Sequence, residues 1–135
     1  MSLSYVIDTH AFIWHLQSSS RLSSTVKQIF AETDEGKIIV IVPTIVLVEM
    51  IYLAEKSRIP QNIVNIALQL LGKESANYQL APLNFEVVES LKQIPRSVVP
   101  DMPDRIISAT ALALKLPLLS KDSAILRLLN IKVIW

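Results

Sequence analysis

Five carboxylates stand where charge is hard to explain as surface decoration: Asp8, Glu49, Asp101, Asp104 and Asp122. Asp8 ends the apolar run Tyr5-Val6-Ile7, and Asp122 follows Leu118-Leu119-Ser120 after a single lysine. Asp101 and Asp104 open the apolar stretch Ile106–Leu114. Glu49 interrupts Ile45–Ile51, a run otherwise without a polar side chain. The plain reading makes the three separate aspartates helix N-caps, each worth about 1 kcal/mol. Asp101 with Asp104 then forms an Asp-x-x-Asp start that the helix dipole favours. Glu49 resists this, because a carboxylate buried in an apolar helix is costly unless paired or metal-bound. Gathered at one place, these acids would repel and raise one another's pKa. A divalent cation with oxygen ligands removes the conflict. With Cys absent and only 2 His, oxygen ligation points to Mg²⁺ or Mn²⁺ and away from zinc. The implied chemistry is phosphodiester hydrolysis by a metal-activated water.

The elements that position these acids are legible from patterning. Leu3–Asp8 reads as a short buried strand, Thr9–Gln17 as a helix, and Ser18-Ser19-Ser20 as its exit. Leu22–Glu35 is a second helix stopped by Gly36. Lys37–Val42 is almost wholly β-branched, a central-strand composition. Pro43 suits the first turn of a helix running to about Lys56. Pro60 opens another, with Ile63, Ile66, Ala67, Leu70 and Leu71 as its apolar stripe and Gly72 as its end. Tyr78–Ala81 is a weak strand, and Asn84 caps a helix over Phe85–Gln93. Pro103 starts a helix through Lys115 that is apolar on nearly every side, hence buried on more than one face. Leu118–Ser120 is a strand, Asp122–Leu129 a helix, and Ile131–Trp135 a last strand. Strands separated by helices predict a three-layer α/β/α sandwich with a mostly parallel sheet. Ligands in such sheets sit beyond the carboxyl ends of the strands, where the acids lie.

Composition removes other chemistries. The 135 residues fit one domain, 1–135. Two glycines, Gly36 and Gly72, cannot build a P-loop, a dinucleotide-binding turn or a serine nucleophile elbow. Without Cys there is no disulfide, thiolate–zinc site or cysteine nucleophile. No apolar stretch approaches membrane-spanning length and no basic leader precedes the first strand, so a cytoplasmic protein without membrane contact is expected. The 13 basic and 12 acidic residues nearly balance. With the five candidate acids set aside, seven acids face 13 basic residues, a surround suited to an RNA backbone. Lys56, Arg58, Lys73, Arg96, Arg105 and Lys121 are candidates for it.

Four motifs in order, Val6-Ile7-Asp8-Thr9, the lone Glu49, Asp104-Arg105-Ile106-Ile107-Ser108-Ala109-Thr110-Ala111 and Ser120-Lys121-Asp122, resemble the spaced acids of PIN domains. The resemblance spans Tyr5 to Trp135. Asp8-Thr9-His10-Ala11 with Trp14, Glu55-Lys56-Ser57-Arg58-Ile59 and Asp101-x-Pro103-Asp104-Arg105 are similar to the VapC-type toxins of bacterial toxin–antitoxin pairs. The resemblance implies a Mg²⁺- or Mn²⁺-dependent endoribonuclease with metal-holding acids at Asp8, Glu49, Asp104 and Asp122. It makes Asp101 auxiliary, and Thr9 and Ser120 residues that orient a carboxylate or a water. It also implies a cognate VapB-like antitoxin and a homodimer. The chain departs from the subgroup in three places. Met102-Pro103 replaces Pro-Phe, Ser120 stands where Thr is commoner, and Val99-Pro100 occupies a place often held by His.

Other residues have plainer readings. His10 and His15 do not share a helix face and read as surface or rim residues, with substrate contact at His10 the minor alternative. Arg105 reads as half of an ion pair, or else as a phosphate contact. Trp14 reads as packing. Leu47, Met50, Ile51 and Leu53, with the Ile63–Leu71 stripe, read as core together with a groove for a partner. The alternative to a nuclease is a PIN-fold RNA- or protein-binding module without catalysis. A phospho-aspartyl phosphatase would need Asp-x-Asp after the first strand, where His10 takes the second place. A receiver domain would need an acidic pair there, which Thr9 breaks.

Overall fold

The chain opens with strand β1 (Leu3–Ile7), which pairs on both sides, with β2 (Ile38–Pro43) and with β4 (Leu118–Leu119). β3 (Tyr78–Ala81) lies outside β2, and β5 (Val133–Ile134) outside β4. The order is β3-β2-β1-β4-β5 and every pairing is parallel. A computed structural model describes residues 3–73, 75 and 77–135 of the protein. Parallel strands need crossovers, and these are helices: α1 (Thr9–Leu16) and α2 (Ser24–Asp34), α3 (Thr44–Glu55) and α4 (Gln61–Gly72), α5 (Phe85–Leu91) and α6 (Met102–Leu114), then α7 (Ser123–Leu126). The path steps outward from β1 to β3, then returns to β4 on the far side of β1. Right-handed crossovers turn that reversal into helices on both faces, a three-layer α/β/α sandwich. The reversal is also a switch point between β1 and β4, where a crevice opens beyond the strand ends.

The core is built on the inner strands. Val6, Ile7, Val40, Val42, Leu118 and Leu119 are fully buried, with Phe12, Met50, Ile107 and Ile125 packed from the helices. Full burial of such a side chain contributes about 1.5–3 kcal/mol of transfer free energy. α6 is buried continuously from Ile106 to Ala111 and packs against β1, α3 and α5. Its Ser108 and Thr110 hydroxyls donate to their own helix, to the Asp104 and Ile106 carbonyls. No helix among the described residues is long and apolar enough to cross a membrane.

Several boundaries differ from the sequence reading. Pro43 closes β2 instead of sitting inside α3. On α4 the inward stripe is Ile63, Val64, Ala67 and Leu71, while Ile66 is exposed. The helix is thus rotated toward its Val64 side. α5 ends at Leu91, short of Gln93. α7 stops at Leu126, and Leu129 is fully exposed. β5 is only Val133–Ile134. Of the α3 residues assigned to core and groove, Met50 is fully buried and Ile51 is exposed.

Candidate active site

Each acid is placed by the element beside it. Asp8 follows β1 and caps α1, its Oδ1 accepting from the Ala11 N–H at 3.0 Å. Asp122 caps α7 through the Ile125 N–H at 2.9 Å. Asp101 caps α6, with a long 3.5 Å bond from the Asp104 N–H. Asp104 is in the first turn of α6, and Glu49 is midway along α3. The capping and chemical readings of these aspartates therefore hold together, because a cap fixes a carboxylate at the strand–helix junction. All five acids line one cavity of about 580 Å³, joined by His10, Trp14, Lys121 and Ser123.

Two hydroxyls tie the acids across elements. The Thr9 hydroxyl on α1 donates to Glu49 Oε1 on α3. The fully buried Ser120 hydroxyl donates to Asp8 Oδ2 and accepts from the Asp122 N–H at 3.1 Å. Among the described residues the Asp104 carboxylate receives no such bond.

The electrostatics follow from this arrangement. Burial raises Asp8 to about 6, against the lowering effect of the Ser120 and Ala11 hydrogen bonds. Burial also raises Glu49, opposed by the Thr9 bond and reinforced by Asp101. Asp104 is raised to about 7, first by burial and then by Asp122, Asp101, Glu49 and Asp8. The acids interact, and only one lysine, Lys121, lines the cavity with them. An all-oxygen donor set with excess negative charge fits a hard divalent cation. Among the described residues no three of these side chains already form a closed ligand cluster.

A PIN domain family model matches residues 5–129. The chain belongs to the PIN domain family. No curated protein sequence matches it. Among solved structures, this PIN domain is similar to a chain of DNA-bound VapBC from Salmonella typhimurium, with a TM-score of 0.71, 17% identity, and coverage of 97% and 96% of the two chains. It is similar to a chain of VapBC2 from Rickettsia felis, bound to a DNA fragment from their promoter, with a TM-score of 0.70 at 14% identity and 97% coverage of both. A toxin–antitoxin complex from Klebsiella pneumoniae gives 0.63 at 16% identity, covering 97% and 96%. At these identities the likeness is one of fold.

The remaining side chains of this PIN domain correct some expectations. Arg105 does not line the cavity and has no carboxylate partner among the described residues. Its Nε donates to Ile94 O at 3.2 Å and its Nη2 to Leu91 O and Ile94 O at 3.0 and 2.9 Å. It therefore binds carbonyls at and just past the end of α5, where the sequence reading expected a carboxylate. His15 is no rim residue. It stacks on Phe30 with centroids 3.6 Å apart and meets the Tyr78 hydroxyl at 3.0 Å, and burial lowers its pKa. That hydroxyl donates onward to Asp34. His10, by contrast, lines the acidic cavity. Trp14 packs edge-on against Trp135 at 5.7 Å. Sequence reasoning passes over Trp135 and Arg21, whose guanidinium lies 5.7 Å from the Trp14 ring centroid.

Proposed function

We propose that this PIN domain is a metal-dependent endoribonuclease, the toxin of a toxin–antitoxin pair, which hydrolyses RNA phosphodiester bonds with Mg²⁺ or Mn²⁺. The supporting observation is the convergence of five carboxylates from separate elements on one cavity at the switch point of the sheet. On this reading Asp8, Glu49, Asp104 and Asp122 hold the cation, and Asp101 assists from the exposed rim. Mg²⁺ keeps several waters and needs few direct carboxylates, which suits acids that do not close into a tight cage. The bound cation supplies Lewis-acid activation of water and neutralises charge on the phosphate.

The chain's own groups do the rest. Thr9 fixes the Glu49 carboxylate and Ser120 fixes that of Asp8, so each meets the cation in a set orientation. The Asp104 carboxyl, raised to about 7, keeps its proton in part of the population near neutrality and limits repulsion until a cation arrives. Lys121 offers a positive charge to a phosphate entering the cavity. The fold likeness to VapBC chains, with the sequence resemblance, supports a VapB-like antitoxin as partner, a homodimer as the assembly, and the cytoplasm as the place of action.

The test is incubation of antitoxin-free protein with total RNA and structured RNAs in Mg²⁺, Mn²⁺ or EDTA. Discrete fragments that need metal are expected, with cleavage at least 100-fold lower in Asp8→Asn and Asp104→Asn, the scale of a lost metal-site group. Folded native protein that binds Mn²⁺ and RNA yet cuts nothing would favour the non-catalytic binding module instead.

A further inference from the structure

A second cavity, of about 490 Å³, shares His10 and Trp14 with the acidic one. Its character is opposite. No carboxylate lines it, and Arg21 and Arg58 do, with Gln17 and Ser19. Among the described residues neither guanidinium is ion-paired. Arg105, whose guanidinium is tied to the Leu91 and Ile94 carbonyls, shows what a structurally committed arginine looks like in this fold. Among the described residues no side chain or carbonyl accepts from the Arg21 or Arg58 guanidinium, which leaves their donors to a ligand.

Two helix ends bring them together. α1 ends with Ser18 at φ 51° and α3 with Ser57 at φ 60°. Each left-handed residue is followed by a closing bond, Ser19 N–H to Trp14 O and Arg58 N–H to Leu53 O, both 2.8 Å. Arg58 is thus the third residue past the end of α3, and Arg21 the fifth past the end of α1. Helix C-termini carry about half a negative charge each, which two full guanidinium charges outweigh. Trp14 links the cavities electrically as well. Arg21 stands 5.7 Å and Lys121 6.0 Å from its ring centroid, Arg21 lining the second cavity and Lys121 the first. One indole holds a cation for each cavity.

We infer that the second cavity is the subsite for the phosphate adjacent to the scissile one on an RNA strand, bound by Arg21 and Arg58. Guanidinium forks match phosphate oxygens, and a strand crossing from the acids to this pair passes Trp14 as a wall between neighbouring phosphates. The inference rests on the RNA-cleaving reading of the acidic cavity.

The test compares native protein, the Arg21→Ala/Arg58→Ala double variant, its Arg→Lys counterpart and Lys132→Ala, a charge before β5 that lines neither cavity. Cleavage of a single-stranded RNA oligonucleotide gives KM and kcat, and fluorescence anisotropy in the Asp104→Asn background gives binding without cleavage. The alanine pair is expected to raise KM and weaken binding roughly tenfold, the effect of removing a charged hydrogen bond. It should flatten the log Kd against log salt slope by about 0.7 for each phosphate no longer neutralised, with kcat changed far less. The lysine pair should keep the slope, and Lys132→Ala should match native protein. Unchanged KM and slope in the alanine pair, in protein that cleaves, would overturn the subsite. Arginine-dependent RNA binding in protein that cleaves nothing would defeat the catalytic reading, and with it the place of this subsite beside a scissile phosphate.

Discussion

Ser120 and Thr9 are small residues with large leverage, because each hydroxyl reaches an acid on another element. Thr9 on α1 holds Glu49 on α3, and Ser120 joins Asp8 to the start of α7. Thr9→Val keeps the shape and removes the donor. Glu49 then loses the bond that opposes the rise in its pKa. The expected result is a 10–100-fold loss of metal affinity or cleavage, the usual scale for such supporting groups. Calorimetric Mn²⁺ titration and kcat measurement check it, alongside a melting temperature close to native. The acids are legible in the sequence because a carboxylate in an apolar run carries an energetic contradiction that sequence alone exposes. Arg21 is not, because its cavity-mate Arg58 is remote in sequence and an arginine after a serine loop is unremarkable by itself. The same holds for Trp135, which meets Trp14 from the far end of the chain. Arg105 escapes the sequence for a related reason, since capping of α5 by a residue of α6 leaves no local pattern. Protonation couples these residues to stability. Asp8 and Asp104 have folded-state values of about 6 and 7, above the ordinary 3.8. The stability they permit is full below about pH 4 and is lost as pH rises through those values. His15 runs the other way. Its lowered value leaves its contribution intact above 6.5 and erodes it as pH falls below.

Helix endings set much of the geometry at the element scale. α1, α2, α3 and α6 all end on a left-handed residue, at Ser18, Gly36, Ser57 and Lys115. With only 2 glycines in the chain, three of these positions carry a side chain in a conformation that disfavours it. Ser57→Gly relieves about 1–2 kcal/mol of backbone strain and loses about 0.4–1 kcal/mol through a freer unfolded chain. A net gain of roughly 0.5–1 kcal/mol is expected from that difference, read from the midpoint of urea unfolding. The elements themselves are mostly legible, because caps, prolines and apolar periods agree in this sequence. The exceptions are informative. α4 is turned toward Val64 where α3, α1 and β3 pack against it together, and tertiary packing chooses among nearly equivalent apolar faces. α7 is a single turn because the chain must return from the switch point to pair β5 with β4 over only two residues.

For the whole molecule, the strand order is what converts scattered acids into a site. Placing β4 beside β1 brings Ser120 and Asp122 to Asp8, and the packing of α3 on α6 carries Glu49 toward Asp104. Apolar patterning along the chain reveals the layers and the parallel sense but has no means to order the strands. Gathering the acids costs stability in the metal-free fold, and a divalent cation should return it. The most direct measurement is thermal unfolding of native protein and Asp104→Asn at about pH 8, with EDTA and with Mn²⁺. In EDTA the variant should melt higher, by roughly 3–6 °C, the shift that about 1 kcal/mol produces in a chain of this size, and the gap should close toward pH 4. In Mn²⁺ the order should invert, with native protein stabilised more than the variant. Native protein melting above the variant in EDTA, or equal shifts in both on adding Mn²⁺, would contradict a charge-frustrated cation site at these acids.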